Sequence, residues 1–398
     1  MNLDFMPSPV PERPGLLIRD SFHYSDATLI IPPALVSALE FFDGKSTELD
    51  LREHLVRLTG SLEVGGLQQQ MVEVLETSGF LENEVYERLR ETRHREFAEA
   101  PERSPAHAGS AYPDDPASLR ATMQTYLDGP APENRETPLV GIAAPHVSPE
   151  GGWPSYRAAY RRLTPDLGER TFVILGTSHY GTPDRFGLTR KPYVTPWGAA
   201  ETDRRRVDWL AERAGDAVLM EDYCHAIEHS IEFQVVFLQY LFGPNVRVLP
   251  ILCGSFARSV YLGGMPENDE GVRRFLDALG EMAARDARDL VWVLGIDLAH
   301  IGRRYQDPFA AVAEQGPMLE VRARDQERLA RVNAGDAEGF WHLVQQGQDD
   351  LKWCGSSPLY TFLRAAPGAR GTLERYEQWN IDEQSVVTFA GIAFHSAA

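Results

Sequence analysis

A chain of 398 residues, 43% of them hydrophobic, has the means to bury one large α/β core and a smaller one beside it. Its 39 Lys and Arg stand against 58 Asp and Glu, a net charge of −19. That balance argues against nucleic acid and acidic membrane surfaces as partners, because both demand concentrated positive charge. The three cysteines, Cys224, Cys253 and Cys354, form no CxxC pair, which speaks against a zinc ribbon or iron–sulfur cluster, and their odd number fits a reducing compartment. The start, MNLDFMPSPVPERPG, has no basic stretch followed by an apolar run, and no segment approaches about 18 uninterrupted apolar residues. The expectation is a soluble, cytoplasmic protein.

Residues 1–15 are Pro-rich and read as extended. Residues 16–85 read as a small module. RDSFHYSDATLIIP fits a two-stranded hairpin, and PPALVSALEFFDG a short helix with Pro at its start and Gly at its end. In STELDLREHLVRLTG, Ser46 or Thr47 caps a second helix whose Leu51, Leu55 and Leu58 share a face. GLQQQMVEVLETSGFLEN gives a third, with Met71, Val74 and Leu75 in phase. Packing or binding of a peptide partner are both open roles for this module. Residues 86–103 are charged, end near proline and read as a helical linker.

From residue 104 to 398 the pattern changes. Apolar runs at 138–146, 170–179, 246–254, 288–300 and 385–394 alternate with amphipathic stretches such as PASLRATMQTYLDG, SYRAAYRRL and EGVRRFLDALGEMAARD. This alternation predicts a mostly parallel or mixed central sheet with helices on both faces. Ligands of such sheets sit beyond the carboxyl ends of the strands. His146, His179 and His300 each follow an apolar run at that end.

Neutral imidazole binds zinc, iron or copper. Two imidazoles and one anionic donor hold a divalent ion while leaving positions free. His146 and His179 are 33 residues apart by number, which fits one donor from each of two strand ends and excludes a single helical motif. The third donor stays open among His229, Asp297, His300 and Cys354. In EHSIEFQ, Ser230 is a candidate helix cap, Glu228 or Glu232 a partner for a histidine, and His229 a ligand, general base or anion-stabilising donor. Cys354 precedes Gly–Ser–Ser–Pro and a helix start, where a thiolate is favoured. Gly151 and Gly152 would let the backbone pass close to a ligand. No nucleotide fingerprint and no GxSxG is present.

SPAHAGSAYP, GIAAPHVSPEGG, VILGTSHYG, EHSIE, VLPILCG, GIDLAH and WCGSSP occur in that order. Together they resemble the Memo family, whose bacterial and archaeal members are named AmmeMemoRadiSam system protein B. The resemblance spans roughly residues 104–396 and implies a fold similar to the class III extradiol dioxygenases and their LigB-like relatives. It implies a metal site of His146, His179 and Cys354, with iron(II) first and copper or zinc as alternatives. It places His107, His229, Asp297 and His300 around that ion as acid–base or pocket residues. Two departures stand out: His146–Val147–Ser148 where the family commonly has His–Ala–Gly, and Ser356 where it commonly has arginine. The first module looks like a winged-helix or PqqD-like domain, a type that binds peptides. The family name implies a radical S-adenosylmethionine protein and an AMMECR-type protein as partners. The implied function is a non-haem iron redox enzyme in a modification pathway. A metal-handling or partner-binding protein without turnover and a zinc hydrolase are the rival readings.

Overall fold

The computed structural model describes residues 3–129 and 137–397. It divides into two compact units, Met1–Glu99 and Ala100–Ala398. In the first, the hairpin strands Leu16–Asp20 and Thr28–Ile31 gain a third partner, Leu3–Pro7, antiparallel to Leu16–Asp20. The Pro-rich start therefore contributes an edge strand rather than a free extended tail, every residue from Leu3 to Pro7 having a register partner on Leu16–Asp20. Pro33–Phe41 is a 3₁₀ helix. Glu48–Thr59 begins with a capping box, Thr47 and Asp50 bonding each other's backbone N–H. Leu51 and Leu55 of that helix and Met71 and Leu75 of Gly65–Thr77 are buried, whereas Leu58 and Val74 are exposed. Glu84–Glu99 is one helix, and it belongs to this compact unit. The linker expected over residues 86–103 is thus mostly an element of the first unit. Arg93 explains the attachment: its guanidinium pairs with Asp26 at 2.7 Å.

The second unit is built on a mixed sheet. Its centre is four parallel strands in the spatial order Leu139–Ala144, Leu290–Gly295, Thr171–Thr177, Arg247–Cys253. Each was foreseeable as a β-rich apolar run between helices, since a strand buried on both faces needs no polar alternation. The late run is Ser385–Ser396, which lies antiparallel to Leu139–Ala144. It is extended by Ala369–Asp382, a 14-residue strand too polar to announce itself. Two apolar layers cover the sheet. Leu175, Ile251 and Leu294 point to the layer of Phe275, Leu279, Trp341 and Leu359. Phe172, Ile174 and Val293 point to that of Met123, Tyr156, Tyr160 and Phe237. This is the α/β arrangement the alternation predicted. No described helix is long and apolar enough to cross a membrane.

Candidate metal centre

Strand register brings the site together. Gly295 pairs with both Ala144 and Gly176, so three neighbouring parallel strands end level. His146, Asp297 and His179 lie two or three residues past those ends. The EHSIE segment crosses above them because two strand residues have no side chain. A Cβ on Gly176 would meet Ser230 and Ile231 at 2.6 Å, and one on Gly295 would run into the Ser230 carbonyl. Ser230 is not the helix cap the sequence offered. Its hydroxyl instead donates to the Thr177 carbonyl at 2.8 Å, tying the segment to the strand end. Gln234 does the same for Pro145 at 2.8 Å.

The result is a histidine cluster: one nitrogen each of His146, His179 and His229 lie within 4.8 Å of one another. The ring centroids are 5.0 Å apart in all three pairs. His146 is buried, His229 half-buried and His179 exposed, so the cluster has a floor and an open side. Cys354 joins it, with Sγ 3.2 Å from His146 Nε2. It sits two residues before the helix Ser356–Ala365, as its turn-forming neighbours predicted.

Outer partners fix the rings. His146 Nδ1–H donates to the Gly295 carbonyl at 3.0 Å, which leaves Nε2 facing the cluster as a lone pair. His179 Nδ1–H donates to Glu228 Oε2 at 2.9 Å, and its backbone N–H donates to the other oxygen. A carboxylate or carbonyl behind a ligating imidazole is the arrangement that metal sites use to orient the ring and raise its basicity. Burial, and then the charge of His179, hold His146 and His229 well below the ordinary histidine pKa. Partial burial of the ring also opposes charge on His179. The Glu228 carboxylate and the Cys354 sulfur outweigh it and hold that ring well above its ordinary value. The cluster thus contains neutral donors and one proton that a cation would displace.

The remaining expected residues surround this centre. Asp297 Oδ1 accepts the His146 backbone N–H at 3.0 Å, and Oδ2 lies 3.6 Å from His146 Nε2. Burial pushes its carboxyl up to about 7, against the pull of the His146 and Val147 N–H groups. His300 does not bond Asp297. Its Nδ1–H is shared by the carbonyls of Leu298 and Lys352, and burial takes its pKa down to about 4. His107 stands edge-on to His229 at 5.6 Å, its Nε2–H given to the Ile227 carbonyl. Glu232 faces away from the imidazole cluster. It pairs with the buried Arg103 guanidinium and accepts from Tyr112 and the Ala106 and His107 backbones, locking the unit's first residues to EHSIE. Gly151 and Gly152 lie inside the helix Pro149–Tyr160, against Trp379 and Val147, so they serve packing rather than a ligand. Tyr305, whose ring stands 4.9 Å from His300, went unmarked in the sequence. It follows two arginines in a short 3₁₀ turn with no periodic signal.

An open-sided group of three imidazoles at the carboxyl edge of a mixed α/β sheet defines a protein with the donors to hold a metal ion. The family model described as Memo-like protein matches residues 103–393, and the chain belongs to the Memo family. A MEMO1 family protein of Aquifex aeolicus is 26% identical over 385 residues, 95% of this chain and 96% of that one. One from Methanopyrus kandleri is 28% identical over 309 residues, 74% of this chain and 99% of its own length. One from Methanococcoides burtonii is 30% identical over 272 residues, 68% and 90% of the two chains. A relative spanned end to end by three-quarters of this chain has no counterpart for the remaining quarter.

Proposed function

We propose that the chain is a mononuclear redox enzyme whose ion, iron(II) in the first place, is held by His146, His179 and Cys354, with His229 as a further donor. The observation that carries this reading is the sulfur of Cys354 lying 3.2 Å from the inward nitrogen of His146, beside two more imidazoles. Soft thiolate with imidazole suits iron, copper and zinc and disfavours magnesium or calcium. When bound, iron(II) would supply electron transfer to O₂, and a thiolate donor would enrich its electron density.

The chain's own groups then have separable tasks. Glu228 orients His179, and the Gly295 carbonyl orients His146. Asp297, with a pKa near 7, exists in both protonation states at neutral pH and is the group suited to move a proton. His300 and His107 each have one ring N–H committed to carbonyls, and burial disfavours their charged forms; they shape and orient the site without carrying charge. A zinc hydrolase is the second reading, favoured by the same Asp297 as a base for a bound water. The Met1–Glu99 unit would serve recognition, of a peptide or of the radical S-adenosylmethionine and AMMECR-type proteins that the family name points to. Winged-helix or PqqD-like identity for that unit is part of the same proposal.

The test is metal-free purification, anaerobic iron loading, elemental analysis and O₂ uptake with peptides and catechols. One iron per chain, with O₂ uptake abolished by His146→Ala, is expected. Tight zinc with no O₂ uptake from the iron form favours the hydrolase, and no stoichiometric ion refutes both.

A further inference from the structure

The loop that carries Cys354 has no strand register to hold it. Gln348, Asp349 and Lys352 take left-handed backbone angles, φ 54°, 55° and 55°, which residues with a Cβ adopt at a cost. Two backbone bonds tie the loop to the Asp297–His300 segment, the His300 N–H to the Leu351 carbonyl at 2.9 Å and the Gly355 N–H to the Asp297 carbonyl at 3.0 Å, and one face of the helix Pro317–Asn333 adds a side-chain restraint. Arg324 forks onto Asp350. Arg328 reaches Asp349 at 2.8 Å and lies over the Trp353 ring at 5.2 Å. Asp325, fully buried, accepts the Trp353 indole N–H on one oxygen at 2.7 Å. Its other oxygen accepts the Tyr376 hydroxyl at 2.8 Å and the Thr388 hydroxyl at 2.7 Å.

Two of these donors belong to neighbours of site residues. Trp353 immediately precedes Cys354. The Thr388 hydroxyl oxygen accepts the Ala299 N–H at 2.8 Å, and the Thr388 backbone bonds Leu298 and Ala299. Those two residues lie between Asp297 and His300. One carboxylate therefore reaches the cysteine loop directly and the Asp297–His300 segment through a single hydroxyl. His300 closes the circuit, bridging the Leu298 and Lys352 carbonyls. A buried carboxylate costs several kcal/mol unless its acceptors are filled. Here the Trp353, Tyr376 and Thr388 donors are all neutral, so the site bears that cost in return for a fixed geometry.

We infer that Asp325 is a positioning residue of the metal centre, which sets the Cys354 sulfur against His146 by bracing from behind the joint between the cysteine loop and the Asp297–His300 segment. Its functional meaning rests on Cys354 being a ligand, as proposed above. The joint itself does not. Asparagine at this position offers one acceptor oxygen and turns an N–H₂ toward hydroxyls that already accept hydrogen bonds.

The test is hydrogen exchange on the full-length, metal-free protein, followed residue range by residue range. In Asp325→Asn, residues 297–300 and 351–356 are expected to exchange about tenfold faster together, the size expected when a buried hydrogen bond is lost, while the strand at 171–177 keeps wild-type protection. Trp353→Phe loosens 351–356 more than 297–300 and Thr388→Val does the reverse; a buried acid serving only global stability gives no such bias. These two variants keep the test open should Asp325→Asn not fold. Wild-type exchange in both segments of the variants, or uniform loosening of the whole unit, overturns the inference. A parallel cobalt(II) titration reads the ligand role. A sulfur-to-cobalt band present in wild type, absent in Cys354→Ser and reduced at least about fivefold in Asp325→Asn at equal cobalt content is expected. A wild-type band that Asp325→Asn leaves unchanged overturns the positioning role. No band in wild type sinks the ligand reading, and the exchange pattern then decides the joint by itself.

Discussion

The two sides of the metal centre are held by different means. His146 and His179 are set by backbone register, since the parallel strands that deliver them end level and glycine at 176 and 295 lets EHSIE lie across the ends. Cys354 comes from an irregular loop with left-handed residues, held by two backbone bonds to the Asp297–His300 segment and by side chains of a distant helix. A register is shared along whole paired strands and is hard to shift by a single substitution on the surface. A loop held by a few buried side chains depends on each of them. The histidine half should therefore tolerate change except at its glycines, its ligands and the carboxylate behind His179, and the cysteine half should be tunable from outside the first ring of donors.

The largest effect belongs to His146→Ala. Loss of the buried donor should weaken metal affinity by more than the ~10–100-fold that removal of an outer partner causes, as read by competitive titration with a chelator. Gly295→Val attacks the register side. A side chain there meets the Ser230 carbonyl and Gln234, so denaturant unfolding should show a loss of about 3 kcal/mol. Wild-type stability would mean that EHSIE does not rest on the strand ends. Glu228→Gln keeps the shape but removes the carboxylate behind His179. Metal affinity should fall roughly tenfold or more, and the His179 ring, followed by NMR, should titrate lower than in wild type.

The smaller effects sharpen the other side. Burial raises the Asp325 carboxyl from 3.8 to about 6. A raised carboxyl favours the folded state below pH 3.8, and that advantage is lost as pH climbs through about 6, a swing of about 3 kcal/mol. Urea unfolding should thus show wild type gaining on Asp325→Asn between pH 7 and pH 4; an unchanged difference would mean the carboxyl is not raised. Arg324→Gln, by contrast, breaks an ion pair at the surface and should cost less than about 1 kcal/mol.

The same division explains what could be read from the sequence. Apolar runs of strand length announced the parallel strands, and a histidine past three of the four announced the site, because periodicity and register are local consequences of composition. EHSIE was visible as polar residues at a helix start, and Glu228 as a histidine partner follows from its chemistry. The strand Ala369–Asp382 was hidden because its exposed residues carry charge. Asp325 was hidden too, since it sits in RARDQERLAR among ordinary surface-type residues and only the tertiary fold turns it inward. Leu3–Pro7 was masked by prolines that proved compatible with an edge strand.

The most direct test of a shared ion is X-ray absorption on anaerobically iron-loaded protein. The expected spectrum has one sulfur and at least two imidazoles around each iron, with the sulfur lost in Cys354→Ser and the imidazoles retained. A shell without sulfur in the wild type, or one that the cysteine substitution leaves intact, would contradict the convergence of His146, His179 and Cys354 on one ion.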